Sequence, residues 1–200
     1  MTTKELYEAT KQYALKLVEE NPKYVSFPDH FYFVEISAMK FCDFYPKADR
    51  DIIKLAIWLH DVGHFVLDYS GDYNQAEDHA VASEDMGRKF LESKGVDNEI
   101  INRVLHCVRA HRNRDIAPET IEAKIVAAAD SASHLIGDGV YTFVLRRYGK
   151  EAAIGKLERD YRDMNIIPEA TKELHDLYEN WKNLLNNYPG WDWPAELTKK

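Results

Sequence analysis

The stretch Leu55–His64, with the sequence LAIWLHDVGH, combines a strongly apolar helical run with an adjacent histidine and aspartate. A helix that is apolar on nearly every side is normally buried all round, so this stretch predicts a central core element. Burying His60 and Asp61 at its end is costly unless each finds a partner. One solution is a divalent metal, for which imidazole and carboxylate are ordinary ligands, and the other is a metal-free His–Asp hydrogen bond. The doublet alone does not decide between them.

The composition is that of an ordinary globular protein. Of the 200 residues, 45% are hydrophobic and 30% are charged, and this length suffices for one domain with a substantial core. No apolar run approaches the roughly 18–20 residues that span a bilayer, and the N-terminus lacks a secretory pattern, so we expect no membrane partner. Cys42 and Cys107 fall in helical patterns and indicate buried, reduced thiols in a cytoplasmic protein.

The charge balance bears on the partners. A net charge of −8 argues against a broad nucleic-acid surface, which would need a basic stripe, so we expect no nucleic-acid partner. Small anionic substrates stay possible because a metal and a few arginines can outweigh the global charge locally. The sequence is silent on the oligomeric state.

Helical periodicity recurs along the chain while strand signals stay weak, which predicts an all-α fold. Prolines, glycines and capping residues mark the ends of the helices. The predicted helices include one over 4–19, one opened by Pro28-Asp29 and ended by Pro46, a central helix capped by Asp49 or Asp51 and finishing at His60-Asp61, and three over 141–148, 151–163 and 168–187. We expect Trp181, Trp191 and Trp193 to fasten the C-terminal part to the body.

The fifth predicted helix carries two histidines and tests which of them faces inward. Its buried stripe is predicted from Ile100, Val104, Cys107 and Val108, and His111 falls on that stripe. His106 lies about 140° away at about 100° per residue, so it is expected to face solvent. A π-bulge would bring both histidines inward.

Other helices also direct polar residues inward. His30 leads the core face of the second helix, and His79 shares a face with Ser83, Met86 and Phe90. Asp130 lies among alanine and valine side chains, with His134 one turn later in position to hydrogen-bond it. The predicted inward set is His30, His60, Asp61, His79, His111 and Asp130. Because each buried ionisable group costs several kcal/mol when unpaired, this set calls for one or two bound cations.

The ordered series His30, His60-Asp61, His79, His111 and Asp130 resembles the motif of the HD-domain metal-dependent phosphohydrolase superfamily, in its binuclear branches. The local contexts also match: LHDVG around the doublet, AHR around the later histidine and AD at the final aspartate. The resemblance covers about residues 30–135. It implies a single domain over 1–200, with an HD helical bundle over about 25–137 and a helical C-terminal extension over about 138–200.

The resemblance also implies the site. His30, His60, Asp61 and Asp130 would ligate one metal, while His79 and His111 would join Asp61, as a bridging carboxylate, on a second. The sulfur-free ligands suit Mn²⁺, Fe²⁺, Co²⁺, Ni²⁺ or Zn²⁺, one or two per chain, better than Ca²⁺. The implied activity is hydrolysis of a phosphate ester or anhydride of a small metabolite or nucleotide by a metal-activated hydroxide.

The chain departs from the family at His64, where many members carry a lysine. His64 is either an acid or base beside the metals or a loop residue, and it is a fixed cation only below about pH 6.5. The GYP extension of cyclic-dinucleotide phosphodiesterases is absent, which counts against that substrate. Together with Asp61 and His64, Arg112 is our third candidate catalytic residue, as a phosphate contact.

Other charged residues are weaker candidates for substrate contacts. Arg109 and Arg114 flank Arg112, and a second basic cluster comprises Arg146, Arg147, Lys156 and Arg159. Each of these cations alone is better explained as a solvated charge. Among the carboxylates that precede His79, Asp72 and Glu77 are candidate general acids.

Two other functions remain open. The same scaffold resembles that of myo-inositol oxygenase and related diiron enzymes, whose ligands are also four histidines and two aspartates. His64 replaces a lysine that helps to bind substrate in those enzymes, which favours hydrolysis. The remaining alternative is a non-catalytic binding domain that the metal stabilises.

Overall fold

The computed structural model describes residues 1–21, 27–67, 79–137 and 139–189. Within these residues the chain is helical and contains no strand, which confirms the predicted all-α fold. The α-helices are α1 Thr3–Glu20, α2 Phe27–Phe41, α3 Arg50–Ile57, α4 His79–Ser93, α5 Asn98–Ala110, α6 Ile121–Ile136, α7 Val140–Tyr148, α8 Lys150–Met164, α9 Pro168–Glu173 and α10 His175–Asn186.

The apolar helix α3 lies at the centre of the molecule, as predicted. The side chain of Asp49 caps it by accepting the backbone N–H groups of Asp51 and Ile52. Helices α1, α2, α5 and α6 all pack against α3, and Ile57 and Trp58 are completely buried.

The predicted end of α3 was wrong. The helix stops at Ile57, and His60 and Asp61 lie in a turn that leads into a 3₁₀ turn over Val62–Phe65. The N–H of Leu59 donates to the carbonyl of Ala56, an i−3 bond that tightens the backbone away from α-helical geometry. The second helix likewise ends earlier than predicted, at Phe41 rather than Pro46.

The C-terminal helices pack onto the back of α6. Helix α8 lies along α6 and α7, and α10 packs on α8 and α6. Trp181 fastens this region, as predicted, because its indole N–H donates to the carbonyl of Leu135 at 2.9 Å. The helix predicted over 168–187 is broken at Leu174 into α9 and α10. Trp191 and Trp193 lie outside the described residues.

Two predictions made from composition can be compared with the structure. Cys42 and Cys107 are both buried and free of disulfide bonds. Across the described ranges, no helix combines the length and the apolar character that a bilayer crossing requires.

Candidate metal centre

The turn after α3 fits tightly against the start of α4, and this contact brings His79 towards Asp61. The N–H of Gly63 donates to Ser83 Oγ at 2.8 Å. A Cβ at position 63 would lie 2.7 Å from the backbone nitrogen of Ser83 and closer still to the carbonyl oxygen of His79. Only glycine therefore permits this approach without moving α4.

The structure gathers the six predicted ligands into two adjacent groups. In each group, one ligand atom from each residue lies within 4.8 Å of the others. We call His30, His60 and Asp130 the α2–α6 group, and Asp61, His79 and His111 the α4–α5 group. All of these side chains are buried except Asp130, which is 19% exposed.

Asp61 faces both groups, one oxygen to each. Its Oδ2 lies 3.4 Å from His30 Nε2 and 3.5 Å from His60 Nε2. Its Oδ1 lies 3.3 Å from His79 Nε2 and 3.5 Å from His111 Nε2. A carboxylate in this position can contribute one oxygen to each of two cations.

Backbone and hydroxyl groups fix the orientation of three imidazole rings. His60 Nδ1 donates to the carbonyl of Ile57, and His111 Nδ1 donates to that of Val108, each at 2.7 Å. His30 Nδ1 lies 3.2 Å from the hydroxyl of Ser133, which itself donates to the carbonyl of Asp130. With the ring proton on Nδ1, each Nε2 presents a lone pair.

The spacing of these lone pairs fits a metal ion. His30 Nε2 and His60 Nε2 are 3.2 Å apart, and His79 Nε2 and His111 Nε2 are 3.1 Å apart. Two nitrogens bound to one transition metal at about 2.0–2.1 Å lie about 2.9–3.4 Å apart, depending on the angle. Two facing lone pairs repel one another unless a cation or a proton lies between them, so the donors present suit a divalent cation.

The electrostatics favour the metal-binding form of His79, His111, Asp61 and Asp130. Burial alone would lower the pKa of His60, but the charges of Asp61 and Asp130 raise it. Burial lowers the pKa of His79 to about 2 and that of His111 to about 4, so both rings are neutral near pH 7. Burial alone would raise the pKa of Asp61, but the surrounding histidines, His60 foremost, lower it well below its usual range. Burial alone would likewise raise the pKa of Asp130, but the neighbouring histidines, His60 foremost, lower it. Deprotonated carboxylates and neutral imidazoles are the forms that bind metals.

The two other predicted catalytic residues lie beside the α4–α5 group. His64 stacks on His79, with ring centroids 4.1 Å apart, and its Nε2 lies 3.8 Å from Asp61 Oδ1. Burial lowers the pKa of His64, so it does not reproduce the fixed charge of a lysine. Arg112 follows His111 and is half-buried. Its charge contributes, after burial, to lowering the pKa of His79.

The other charged candidates differ in their contacts and in their exposure. Arg109 pairs with Glu84 and Asp115, whose charges offset its own, so it remains a weak candidate for an anion ligand. Arg114 is exposed. Asp72 and Glu77, the predicted general acids, lie outside the described residues.

The two histidines of the fifth helix have different surroundings. Helix α5 is regular to Ala110, and its buried stripe begins at Ile101 rather than Ile100, which is 38% exposed. His111 is buried in the α4–α5 group. His106 is half-buried, and its Nε2 accepts the backbone N–H of Glu119 at 3.1 Å.

Two features near the ligands were missed at the level of sequence. Ser133, which contacts His30, gave no signal beyond its place on α6. We had predicted that Lys156 is a solvated charge, and this was wrong. Its side chain is only 12% exposed, and its ammonium pairs with the buried Asp160. A signal for this pair was present, since Asp160 shares the periodic stripe of Ala153, Leu157 and Met164.

Comparison with known proteins identifies the family. The model of the HD domain matches residues 28–134, more than half of the chain. The chain belongs to the HD domain family, which confirms the resemblance inferred from the ligand series. No solved structure is significantly similar to the chain.

Curated relatives match less than half of the chain. Ribonuclease Y of Thermoanaerobacter pseudethanolicus is 33% identical over 86 residues, which are 43% of this chain and 14% of the relative. The enzymes of the same name from Desulforudis audaxviator and Syntrophomonas wolfei are 34% and 36% identical over 87 residues, 44% of this chain and 14% of each relative. The chain thus spans about 14% of the length of these relatives. Because they are ribonucleases by name, they lend no support to our exclusion of a nucleic-acid partner.

Proposed function

We propose that this chain is a metal-dependent phosphohydrolase that cleaves a phosphate ester or anhydride of a small metabolite or nucleotide. The observation that carries the proposal is the position of Asp61, whose two oxygens face two separate groups of buried imidazoles at 3.3–3.5 Å. Adjacent cations that share one carboxylate are suited to in-line displacement at phosphorus.

In this proposal each group would hold one divalent cation. His30, His60, Asp61 and Asp130 would hold the first, and Asp61, His79 and His111 would hold the second. The donors suit Mn²⁺, Fe²⁺, Co²⁺, Ni²⁺ or Zn²⁺. When bound, such ions supply an activated water and neutralise charge on the phosphoryl oxygens.

The remaining roles fall to side chains beside the ligands. Arg112 binds a phosphate oxygen of the substrate, since a guanidinium suits that geometry. Burial lowers the pKa of His64, so the ring is neutral near pH 7 and can accept a proton from the attacking water, with Asp61 beside its Nε2.

A second candidate substrate is RNA. It is favoured by the names of the ribonuclease relatives, whose similarity covers 43–44% of this chain. A phosphodiester is also a phosphate ester, so the same ligands and the same attack at phosphorus would serve. The net charge of −8 favours the small substrate, because RNA binding depends on neutralising many phosphates.

The test is a panel of nucleotides, sugar phosphates and short single-stranded RNA, each incubated with protein and added Mn²⁺ or Co²⁺. We expect metal-stimulated hydrolysis of at least one class, its loss in His111→Ala and its retention in the matched variant His106→Ala. Oxygen consumption by the Fe²⁺-reduced protein without any hydrolysis would favour the diiron oxygenase. Metal binding with neither activity would favour the non-catalytic domain.

A further inference from the structure

Helix α8 follows the residues that the HD model matches, which end at 134, yet it brings a buried carboxylate close to the α2–α6 group. Asp160 is 3% exposed and lies on the same stripe of α8 as Ala153 and Leu157. Helix α8 packs along α6, which carries Asp130 and Ser133. Asp160 therefore faces the helix that supplies one of the proposed ligands.

Asp160 obtains its counter-charge from its own helix. The ammonium of Lys156 donates to Oδ1 at 2.7 Å and to Oδ2 at 2.8 Å. The hydroxyl of Tyr141 donates to Oδ2 at 3.1 Å. Because both oxygens accept hydrogen bonds and the charge is paired, this carboxylate needs no metal.

The pair also holds the ring of His134. His134 Nδ1 lies 2.8 Å from Lys156 Nζ and 3.0 Å from Asp160 Oδ2. The His134 ring also contacts the metal centre, because it stacks on the ring of His30 with planes 17° apart and centroids 5.5 Å apart. His134 also lies one turn after Asp130 on α6, where side chains share a face.

We propose that Lys156 and Asp160 are positioning residues for the metal site of the α2–α6 group, and that they act through the ring of His134. The inference rests on the proposed metal centre and gives the C-terminal helices a part in it. Fixing His134 restricts the ring of His30 from one side, while Ser133 holds it at Nδ1.

The effect should be confined to one of the two metal sites. His111 of the α4–α5 group is held by the carbonyl of Val108, and the Gly63–Ser83 hydrogen bond holds the turn against α4. None of these contacts involves α8. Loss of the pair should therefore weaken one ion and spare the other.

The test compares two variants of α8 by Co²⁺ titration, using calorimetry and the visible absorption of bound Co²⁺. The double variant Lys156→Met/Asp160→Asn removes both charges together, so that no buried charge is left alone, and the amide oxygen still accepts from Tyr141. The control Glu158→Gln also lies on α8 and alters an exposed ion pair with Lys182 of α10. We expect about 10-fold weaker binding of one of two ions in the double variant, with a changed spectrum for that ion, and wild-type behaviour in the control.

A double-mutant cycle tests the route through His134. His134→Ala alone should weaken the same ion, and adding Lys156→Met/Asp160→Asn to it should have no further effect. If the double variant does not fold, His134→Ala alone tests the inference, because it should weaken the same ion.

Three results would overturn the inference. The first is unchanged affinity and an unchanged Co²⁺ spectrum in a folded double variant, which would make the pair merely structural. The second is a loss that adds fully to that of His134→Ala. The third is a wild type that binds no Co²⁺, which would contradict the proposed function as well.

Discussion

The chain buries carboxylates in two neighbouring places and stabilises them differently. Asp160 is paired with Lys156 at 2.7 Å and accepts a hydrogen bond from Tyr141. Asp61 and Asp130 instead lie 3.3–3.8 Å from imidazole nitrogens, several of which present lone pairs. The first arrangement is complete within the protein, whereas the second becomes electrostatically balanced when cations bind. A buried carboxylate beside imidazoles therefore indicates a metal site when no cationic side chain pairs with it.

The largest effect is expected for Asp61→Ala, which removes the carboxylate shared by both groups. We expect metal affinity to fall by more than about 100-fold, since even partners outside the ligand set are worth about 10–100-fold. Isothermal titration with Mn²⁺ or Co²⁺ measures this. The control is His106→Ala, because His106 belongs to neither group. This variant should bind metal as the wild type does. Comparable losses in both variants would show that the assignment of inward faces is wrong.

Stability measurements separate the two kinds of carboxylate. Asp160→Ala leaves the Lys156 ammonium without its partner, so the free energy of unfolding should fall by about 3–5 kcal/mol even when no metal is present. Asp130→Ala should mainly remove the stabilisation that added metal confers, which is about 4 kcal/mol at a free metal concentration 1,000 times the Kd. Urea unfolding with and without Mn²⁺ distinguishes them. A loss for Asp160→Ala that appears only when metal is present, or a loss for Asp130→Ala that is equally large without metal, would reverse the comparison.

Gly63→Ala tests how the turn after α3 positions the α4–α5 group. The added methyl would force the turn away from Ser83 and from the carbonyl of His79, at a cost of about 1–3 kcal/mol, as for overpacking elsewhere. We expect weaker binding of the ion held by His79 and His111, with the other ion less affected. The test is metal titration together with thermal unfolding. Gly155→Ala, at an open position on α8, is the control, and equal effects of both variants would contradict the close-approach explanation.

The smallest effect is expected for Ser133→Ala, which removes the hydroxyl that contacts His30 Nδ1. A lost partner of a ligating histidine typically costs at least about 10-fold in metal affinity. Co²⁺ titration measures this change. Ser131→Ala, a buried neighbour on the same helix, should leave metal affinity unchanged. A similar loss in Ser131→Ala would attribute the effect to packing of α6 instead.

Much of the fold and the placement of the ligands followed from local patterns. The apolar run in Leu55–Ile57 and the caps at Asp49 and Asp97 depend on neighbouring residues, so the helices they begin were recognisable. Helical periodicity also predicted that His111 lies on the buried side of the fifth helix, where the structure has it. These features need no knowledge of distant contacts.

Tertiary contacts decided the rest. Helix α3 ends early where the chain turns and packs on the start of α4, and no neighbouring residue in the sequence predicts that contact. The burial of Lys156 contradicts the usual preference of lysine for solvent, and it occurs because Asp160 and His134 surround its ammonium. The break at Leu174 likewise lacks a proline or glycine to mark it.

The central claim is that the two groups hold transition-metal ions, and elemental analysis tests it most directly. Protein purified without chelator should contain one to two transition-metal ions per chain, rising to two after incubation with Mn²⁺ and removal of free metal. Asp61→Ala treated in parallel should retain almost none. A wild-type protein that is folded and stable, contains no metal and takes up none on incubation would contradict the account.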